Sequence, residues 1–332
     1  MNQKVESMLH LFTQNHQNIR TEFVWQEPMA KRLAALAYAM AGQDLNAGAL
    51  KAHHQMIKSE VGALSNFRGM LSVYVAAALS LSQEPNQLLE NTLYVYELLQ
   101  EQGFWRNDYL VISAFEIAAN AKKIDFERIA ERAKTFYDEM KSNHRFQISS
   151  DDYIFAAMLA LTDMDVQEGA DKVKAIYNRL REEFSRFTSK NSLVTLAQML
   201  ALGGSTEYCA EKVSNLNREL RIRKIKLDKT FTLPSLGVLS LLNMDPCDLA
   251  NELNAVTDYL RAQKGLGALS VSIQELQLYA VSLMTHAHVG DEQSEITRAG
   301  VTTSVTNLLI AQQVALISSM AAMSAAASAG GC

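Results

Sequence analysis

The sequence is poor in proline and cysteine, with four prolines and three cysteines among 332 residues. Cys209, Cys247 and Cys332 lie far apart and form no CxxC pair and no Cys/His set at metal-ligand spacing. This spacing argues against a disulfide framework and a structural zinc site. We expect reduced thiols, a cytoplasmic location and no metal or other cofactor.

Common catalytic signatures are missing as well. The chain has no GxSxG, HExxH or GxxxxGK[ST] pattern, and no GxGxxG that follows a strand. These absences weigh against an enzyme but leave the question open.

Charge and hydropathy also narrow the choice of partner. The net charge is -5, and the basic stretch from Arg218 to Lys229 has only Phe231 nearby for stacking on a base, so we expect no nucleic-acid binding. Residues 1–12 lack the apolar core of a secretory signal. The uncharged residues 299–332 contain too many polar side chains for a membrane span.

A helical pattern repeats with a period of about 40 residues. Apolar side chains recur at i, i+3, i+4 and i+7, which is one face of an α-helix. The last position of each copy advances by 41, 40, 40 and 40 residues, through Leu99, Met140, Leu180, Leu220 and Leu260. A fixed period near 40 is typical of stacked helical hairpins.

Each of these amphipathic helices follows a more apolar helix, and Tyr74, Phe115 and Phe155 form a matching column there. We expect the apolar helix to be sandwiched between neighbours and the amphipathic helix to face solvent, with each apolar helix forming a hairpin with the amphipathic helix after it. The prediction is an all-α solenoid of about six antiparallel hairpins, a right-handed superhelix like those of HEAT or tetratricopeptide repeats.

Residues 1–290 are predicted to form one repeat domain. Residues 291–332 are predicted to form an Ala/Ser-rich helix with a frayed end, which caps the open apolar edge of the solenoid.

Several local phrases, taken in order, resemble an uncharacterised bacterial family, domain of unknown function 4003. They are Phe23-Val24-Trp25-Gln26-Glu27, Met56-Ile57-Lys58 with Ser65-Asn66-Phe67-Arg68, Gly103-Phe104, and Met140-Lys141-Ser142-Asn143-His144-Arg145-Phe146 leading to Ser149-Ser150-Asp151-Asp152-Tyr153. The resemblance covers nearly the whole chain. It carries no established activity or catalytic residue.

The sharpest polar cluster combines His144, Arg145, Asp151 and Asp152. Adjacent carboxylates near a histidine suit a divalent metal or an acid/base pair. The structural alternative is a capping box, Ser149-x-x-Asp152, which places both carboxylates at the positive end of a helix. The sequence leaves both interpretations open.

A second cluster consists of Trp25, Glu27, Lys58, Ser65 and Arg68. Ser65 is expected to cap the next apolar helix, and Arg68 is expected to be partly buried and paired with Glu27 or Glu60. The functional alternative is a site for an anion or a partner.

Taken together, these features favour a scaffold that binds an unknown protein or peptide on one helix layer. The alternative is a metal-dependent hydrolase or small-anion-binding protein centred on Asp151, Asp152 and His144. The sequence does not define the oligomeric state.

Overall fold

The computed structural model describes residues 2–23, 27–69, 71–143, 148–184, 188–202, 208–227 and 232–289. These residues form fourteen α-helices and no strand: α1 (Gln3–Glu22), α2 (Pro28–Met40), α3 (Ala47–Glu60), α4 (Ser72–Leu81), α5 (Pro85–Glu101), α6 (Asp108–Asn120), α7 (Phe126–Asn143), α8 (Tyr153–Ala160), α9 (Val166–Glu183), α10 (Lys190–Leu202), α11 (Tyr208–Ile222), α12 (Leu233–Ser240), α13 (Pro246–Ala262) and α14 (Ile273–Val289).

The helices alternate between an outer and an inner layer. The odd-numbered helices bury their apolar face and expose the opposite, polar face. The even-numbered helices are buried on nearly all sides. All eight predicted core residues are buried, namely Tyr74, Leu99, Phe115, Met140, Phe155, Leu180, Leu220 and Leu260. The all-α prediction and the buried columns are confirmed.

The partner within each hairpin differs from the prediction. An outer helix packs most closely on the inner helix that follows it, as α5 does on α6, α7 on α8 and α9 on α10. The apolar stripe locates the buried face of an outer helix, but it does not specify which neighbouring apolar helix covers that face.

Local signals place several helix ends. Asp165 and Asp245 accept hydrogen bonds from backbone N–H groups in the first turns of α9 and α13. Gly103 and Gly265, which follow α5 and α13, adopt φ of +90° and +84°, a region that favours glycine. Residue 205, a further predicted cap, lies outside the described residues.

The two ends of the described chain meet. The backbone N–H of Asn2 donates to Glu252 Oε1 (3.0 Å), and Glu252 Oε2 lies 2.7 Å from His288 Nε2. Gln17 Nε2 donates to the carbonyl of Lys264 at 2.6 Å. As a result, α1 contacts both α13 and α14, and α2 contacts α14.

This closure corrects the expectation of an open apolar edge. The first hairpin covers the last, so the described helices close into a ring of hairpins. The buried side chains form one connected apolar cluster around it. The predicted capping segment, residues 291–332, lies outside the described residues.

Among the described helices, none combines the length and the apolar content that crossing a membrane requires.

Candidate functional site

The outer layer is loosest between α3 and α5. Other neighbouring outer helices, such as α5 with α7 and α7 with α9, are in close contact, whereas α3 and α5 stand further apart. Two adjoining depressions of about 740 Å³ and about 540 Å³ lie in this gap. Both are lined by Glu60, Leu93 and Glu97, so they form one continuous groove, which we call the α3/α5 groove.

Large apolar side chains are exposed in the α3/α5 groove and at residues next to its lining. Leu64 lines it and is fully exposed, at 101%. Trp105 and Ile124 are 80% and 87% exposed, and each precedes or follows a lining residue, Arg106 and Lys123 respectively. Several exposed apolar groups beside one depression are characteristic of a protein-interaction surface.

The walls of the groove carry an excess of negative charge. The acidic lining residues are Glu60, Glu90, Glu97 and Glu101, and the basic ones are Arg106 and Lys123. Lys123 Nζ already pairs with Glu90 Oε1 at 3.0 Å. Three carboxylates therefore face the groove with one remaining guanidinium, which bonds to the side chain of Gln100.

The predicted cluster around Ser65 borders this groove. Ser65 caps a 3₁₀ turn, Asn66–Arg68, by accepting from the N–H of Phe67 at 3.3 Å, and α4 begins only at Ser72. Ser65 also lines the groove.

The prediction that Arg68 pairs with a carboxylate is wrong. Arg68 Nη2 donates to the backbone carbonyls of Lys58 and Val61, the latter at 2.9 Å. The reason is physical: the end of α3 presents carbonyls without an intrahelical partner, and a nearby guanidinium satisfies them. Glu27 lies at the start of α2 with its side chain exposed, and residue 25 lies outside the described residues.

The second predicted site forms the capping box that the sequence indicated. Residues Ser149 and Asp152 cap a 3₁₀ turn, Ser150–Asp152, that leads into α8. Asp152 Oδ2 accepts from the Ser149 N–H at 2.9 Å, and the Ser149 hydroxyl donates to Asp151.

Asp152 is nonetheless an unusual cap, because its carboxyl is only 2% exposed. Burial, and then repulsion from Asp151, raise its pKa well above the ordinary value, while the N–H of Ser149 and the side chain of Gln198 oppose this rise. Its second oxygen, Oδ1, has no hydrogen-bond partner among the described residues, and neither has Gln198 Oε1. A neutral carboxyl carries one O–H donor, and the unpaired Gln198 Oε1 is an acceptor that suits it.

An aromatic cluster connects this cap to the loop that carries Trp105. The rings of Phe104, Tyr137 and Tyr153 pack against one another with centroids 4.7 to 5.5 Å apart. The Tyr153 hydroxyl accepts from the backbone N–H of Trp105 at 3.3 Å. Burial and the adjacent Tyr153 and Asp152 raise the pKa of Tyr137 to about 12. The loop that presents Trp105 is thus anchored on the residue that follows Asp152.

Only part of the predicted polar site, Asp151 and Asp152, falls within the described residues. Residues 144 and 145 lie outside the described residues. Within the described ranges, no group of three or more His, Cys, Asp or Glu side chains is placed to hold a metal ion.

Sequence reasoning missed Leu64, Trp105 and the acidic wall. The exposure of Trp105 had a local signal, since it stands directly after the predicted helix end at Gly103-Phe104. The wall of glutamates lies along the polar face of an amphipathic helix, where charged residues need no special explanation.

Comparison with known proteins adds a family but no activity. Neither the curated proteins nor the solved structures yielded a match to this chain. A family model described as "Protein of unknown function (DUF4003)" matches residues 15–314. The sequence resemblance is confirmed, and the chain belongs to the family of domain of unknown function 4003.

Proposed function

We propose that this protein is a helical scaffold that binds a basic, amphipathic peptide segment of a partner protein in the α3/α5 groove. The observation that supports the proposal is the groove itself, which combines a gap between outer helices, the exposed lining residue Leu64 and an acidic wall, with exposed Trp105 next to the lining residue Arg106.

The chemistry of the groove defines the occupant. Exposed aromatic and aliphatic side chains bind apolar groups, and a tryptophan is the residue most often found at the energetic centre of an interface. Glu60, Glu97 and Glu101 favour Lys or Arg on the partner and increase its association rate at low salt. A peptide with apolar residues on one side and cationic residues on the other fits both features.

The test uses synthetic peptides in which apolar content and net charge are varied independently. Fluorescence anisotropy of labelled peptides would be measured against the full chain at low and at physiological salt. We expect basic amphipathic peptides to bind, and neutral or acidic peptides of equal apolar content not to bind. Raised salt should weaken binding mainly by slowing association.

Two variants make the test specific to the groove. Glu97→Lys reverses one wall charge, and Trp105→Ala removes the exposed ring; each should weaken binding by about tenfold or more. The matched control is Glu131→Lys, which makes the same charge change at an exposed residue of α7 outside the groove lining. Equal losses in Glu97→Lys and Glu131→Lys would contradict the proposal, because binding would then follow net charge alone.

The alternative function, a metal-dependent hydrolase or small-anion-binding protein centred on Asp151, Asp152 and His144, stays a prediction. The described geometry favours a structural role for Asp152, because its carboxyl is buried within the cap. Thermal denaturation with Mn²⁺, Mg²⁺ and Zn²⁺ tests the alternative, since a ligand that binds the folded state raises the midpoint. A metal-induced rise of the midpoint in the wild type that is lost in Asp151→Asn would support the alternative function.

A further inference from the structure

The seam where the ring closes carries a concentration of positive charge. Lys31 and Arg32 on α2 are 9% and 6% exposed, and Arg20 projects from the last turn of α1 beside them. Arg32 is neutralised, because its Nε lies 2.7 Å from Glu275 Oε1 and 3.3 Å from the Tyr279 hydroxyl. Buried cations are normally paired in this way.

Arg20 and Lys31 have no such partner among the described residues. The ammonium of Lys31 donates only to the backbone carbonyl of Arg20, at 3.4 Å. Burial, followed by repulsion from Arg20 and Arg32, lowers the pKa of Lys31. Two positive charges at the seam therefore lack a described carboxylate to offset them.

A buried histidine completes the cluster. His16 is 3% exposed, it stacks on Phe12, and its Nδ1 has no hydrogen-bond partner among the described residues. Burial, and then the charges of Arg32, Arg20 and Lys31, lower the pKa of His16 to about 4. At neutral pH the ring is uncharged, and one of its nitrogens carries a proton that it can donate.

Gly265, which has no side chain, lies against Arg20 and His16. A Cβ at residue 265 would stand 2.7 Å from Arg20 Nη1 and 3.2 Å from His16 Cε1. Gly265 thus lets the guanidinium and the imidazole edge approach the loop after α13 and each other.

We propose that the seam binds a small oxyanion of the phosphate class, held by Arg20, Lys31 and His16. A tetrahedral oxyanion offers several acceptor oxygens, which match a guanidinium, an ammonium and one N–H donor. It would offset both unpaired cations and give His16 Nδ1 a partner. A metal cation is disfavoured by the surrounding positive charge. The site lies on α1 and α2, away from the α3/α5 groove, so it does not depend on the proposed peptide binding.

The first experiment is thermal denaturation of the full chain in inorganic phosphate, with chloride at equal ionic strength as reference. We expect phosphate to raise the midpoint in the wild type, because it binds the folded state. Arg20→Gln should weaken the apparent affinity by about tenfold or more, since it removes charge-assisted hydrogen bonds from an exposed residue.

Lys264→Gln is the matched control, because it removes one positive charge from the exposed residue next to Gly265. It should respond to phosphate as the wild type does. The proposal is overturned if phosphate and chloride act alike on the wild type, or if Arg20→Gln and Lys264→Gln lose the response equally. Phenyl phosphate distinguishes the source: tighter binding than inorganic phosphate points to a phosphate monoester, and weaker binding points to the free ion.

The second experiment reads His16 directly and does not depend on stability. Nuclear magnetic resonance of the imidazoles, with His16 assigned from the spectrum of His16→Gln, gives its pKa with and without phosphate. A bound anion favours the imidazolium, so the pKa should move upward from about 4. An unchanged His16 resonance and pKa at saturating phosphate would overturn the proposed site even if the midpoint rises.

Discussion

The buried carboxyl of Asp152 gives the sharpest quantitative prediction. Because burial raises its pKa in the folded state above the ordinary value of 3.8, the folded chain binds more protons than the unfolded chain between those two pKa values. The contribution of this group to stability is complete below the unfolded pKa. It declines as pH rises through the window up to the folded pKa.

Asp152→Asn removes this titration while keeping an oxygen for the Ser149 N–H and supplying an N–H₂ donor toward Gln198. The variant should therefore gain stability relative to the wild type as pH rises. The slope within the window is about 1.4 kcal/mol per pH unit, because one proton is involved. Above the folded pKa the difference between the two proteins should become constant.

The assay is urea unfolding of both proteins from pH 4 to pH 8, with the free energy of unfolding extrapolated to water. Subtracting the two curves cancels titrating groups that the proteins share. Asp151→Asn is the internal check, because it removes the repulsion that helps raise the pKa of Asp152 and should move the end of the window to lower pH. A difference between wild type and Asp152→Asn that stays flat with pH would refute the reasoning.

Three further substitutions test the packing of the ring by urea unfolding. Arg32→Met should lower stability by about 3–5 kcal/mol, because it leaves Glu275 buried without its cation. Adding Glu275→Leu should restore much of this loss. If the double variant does not recover stability, the broken ion pair is not the cause of the loss. Gly237→Ala should lower stability by about 1–3 kcal/mol, because the new Cβ would lie 2.4 Å from a leucine methyl on α10. Gly267→Ala is the control and should lower stability far less, because a Cβ there would have nothing within 4 Å. Equal losses in the two variants would contradict the overpacking argument. Asn107→Ala should cost about 1 kcal/mol, because it removes the side-chain acceptor at the start of α6, and an unchanged midpoint would deny the cap its role.

The layers of the fold could be predicted because they depend on local periodicity. The stripe of Val173, Ile176 and Leu180 is legible in the sequence and is buried in the structure. Helix α1 had the same kind of signal, since Val5, Leu9 and Phe12 recur at intervals of four and three and are all fully buried. It was overlooked because polar residues dominate the segment.

Ring closure could not be predicted in this way. It depends on pairs such as Arg32 with Glu275, which lie 243 residues apart in the chain, and no local pattern relates them. The groove was hidden for a similar reason. It arises from the spacing of α3 and α5, and spacing between elements is a property of tertiary packing rather than of either helix alone.

For the candidate sites, the sequence identified residue types but not their partners. The box of Ser149 and Asp152 was predicted from its spacing, yet the depth at which Asp152 lies comes from α6 and α8, which contact its turn, and from Gln198 of α10. Arg68 was expected to seek a carboxylate. It binds the end of α3 instead, because a guanidinium can donate to unpaired backbone carbonyls and not only to carboxylates.

The meeting of α1 with α14 also sets the order in which the chain can fold during its synthesis. Asn2 and its partner Glu252 are 250 residues apart, so the apolar face of α1 cannot be fully covered until nearly all the described helices have left the ribosome. Contacts of such large sequence separation form slowly, because the entropy of closing the loop is lost before they can stabilise it. During this interval Phe12 lacks the ring of Tyr279 that covers it in the folded protein, so part of the apolar face of α1 is open to aggregation in the nascent chain.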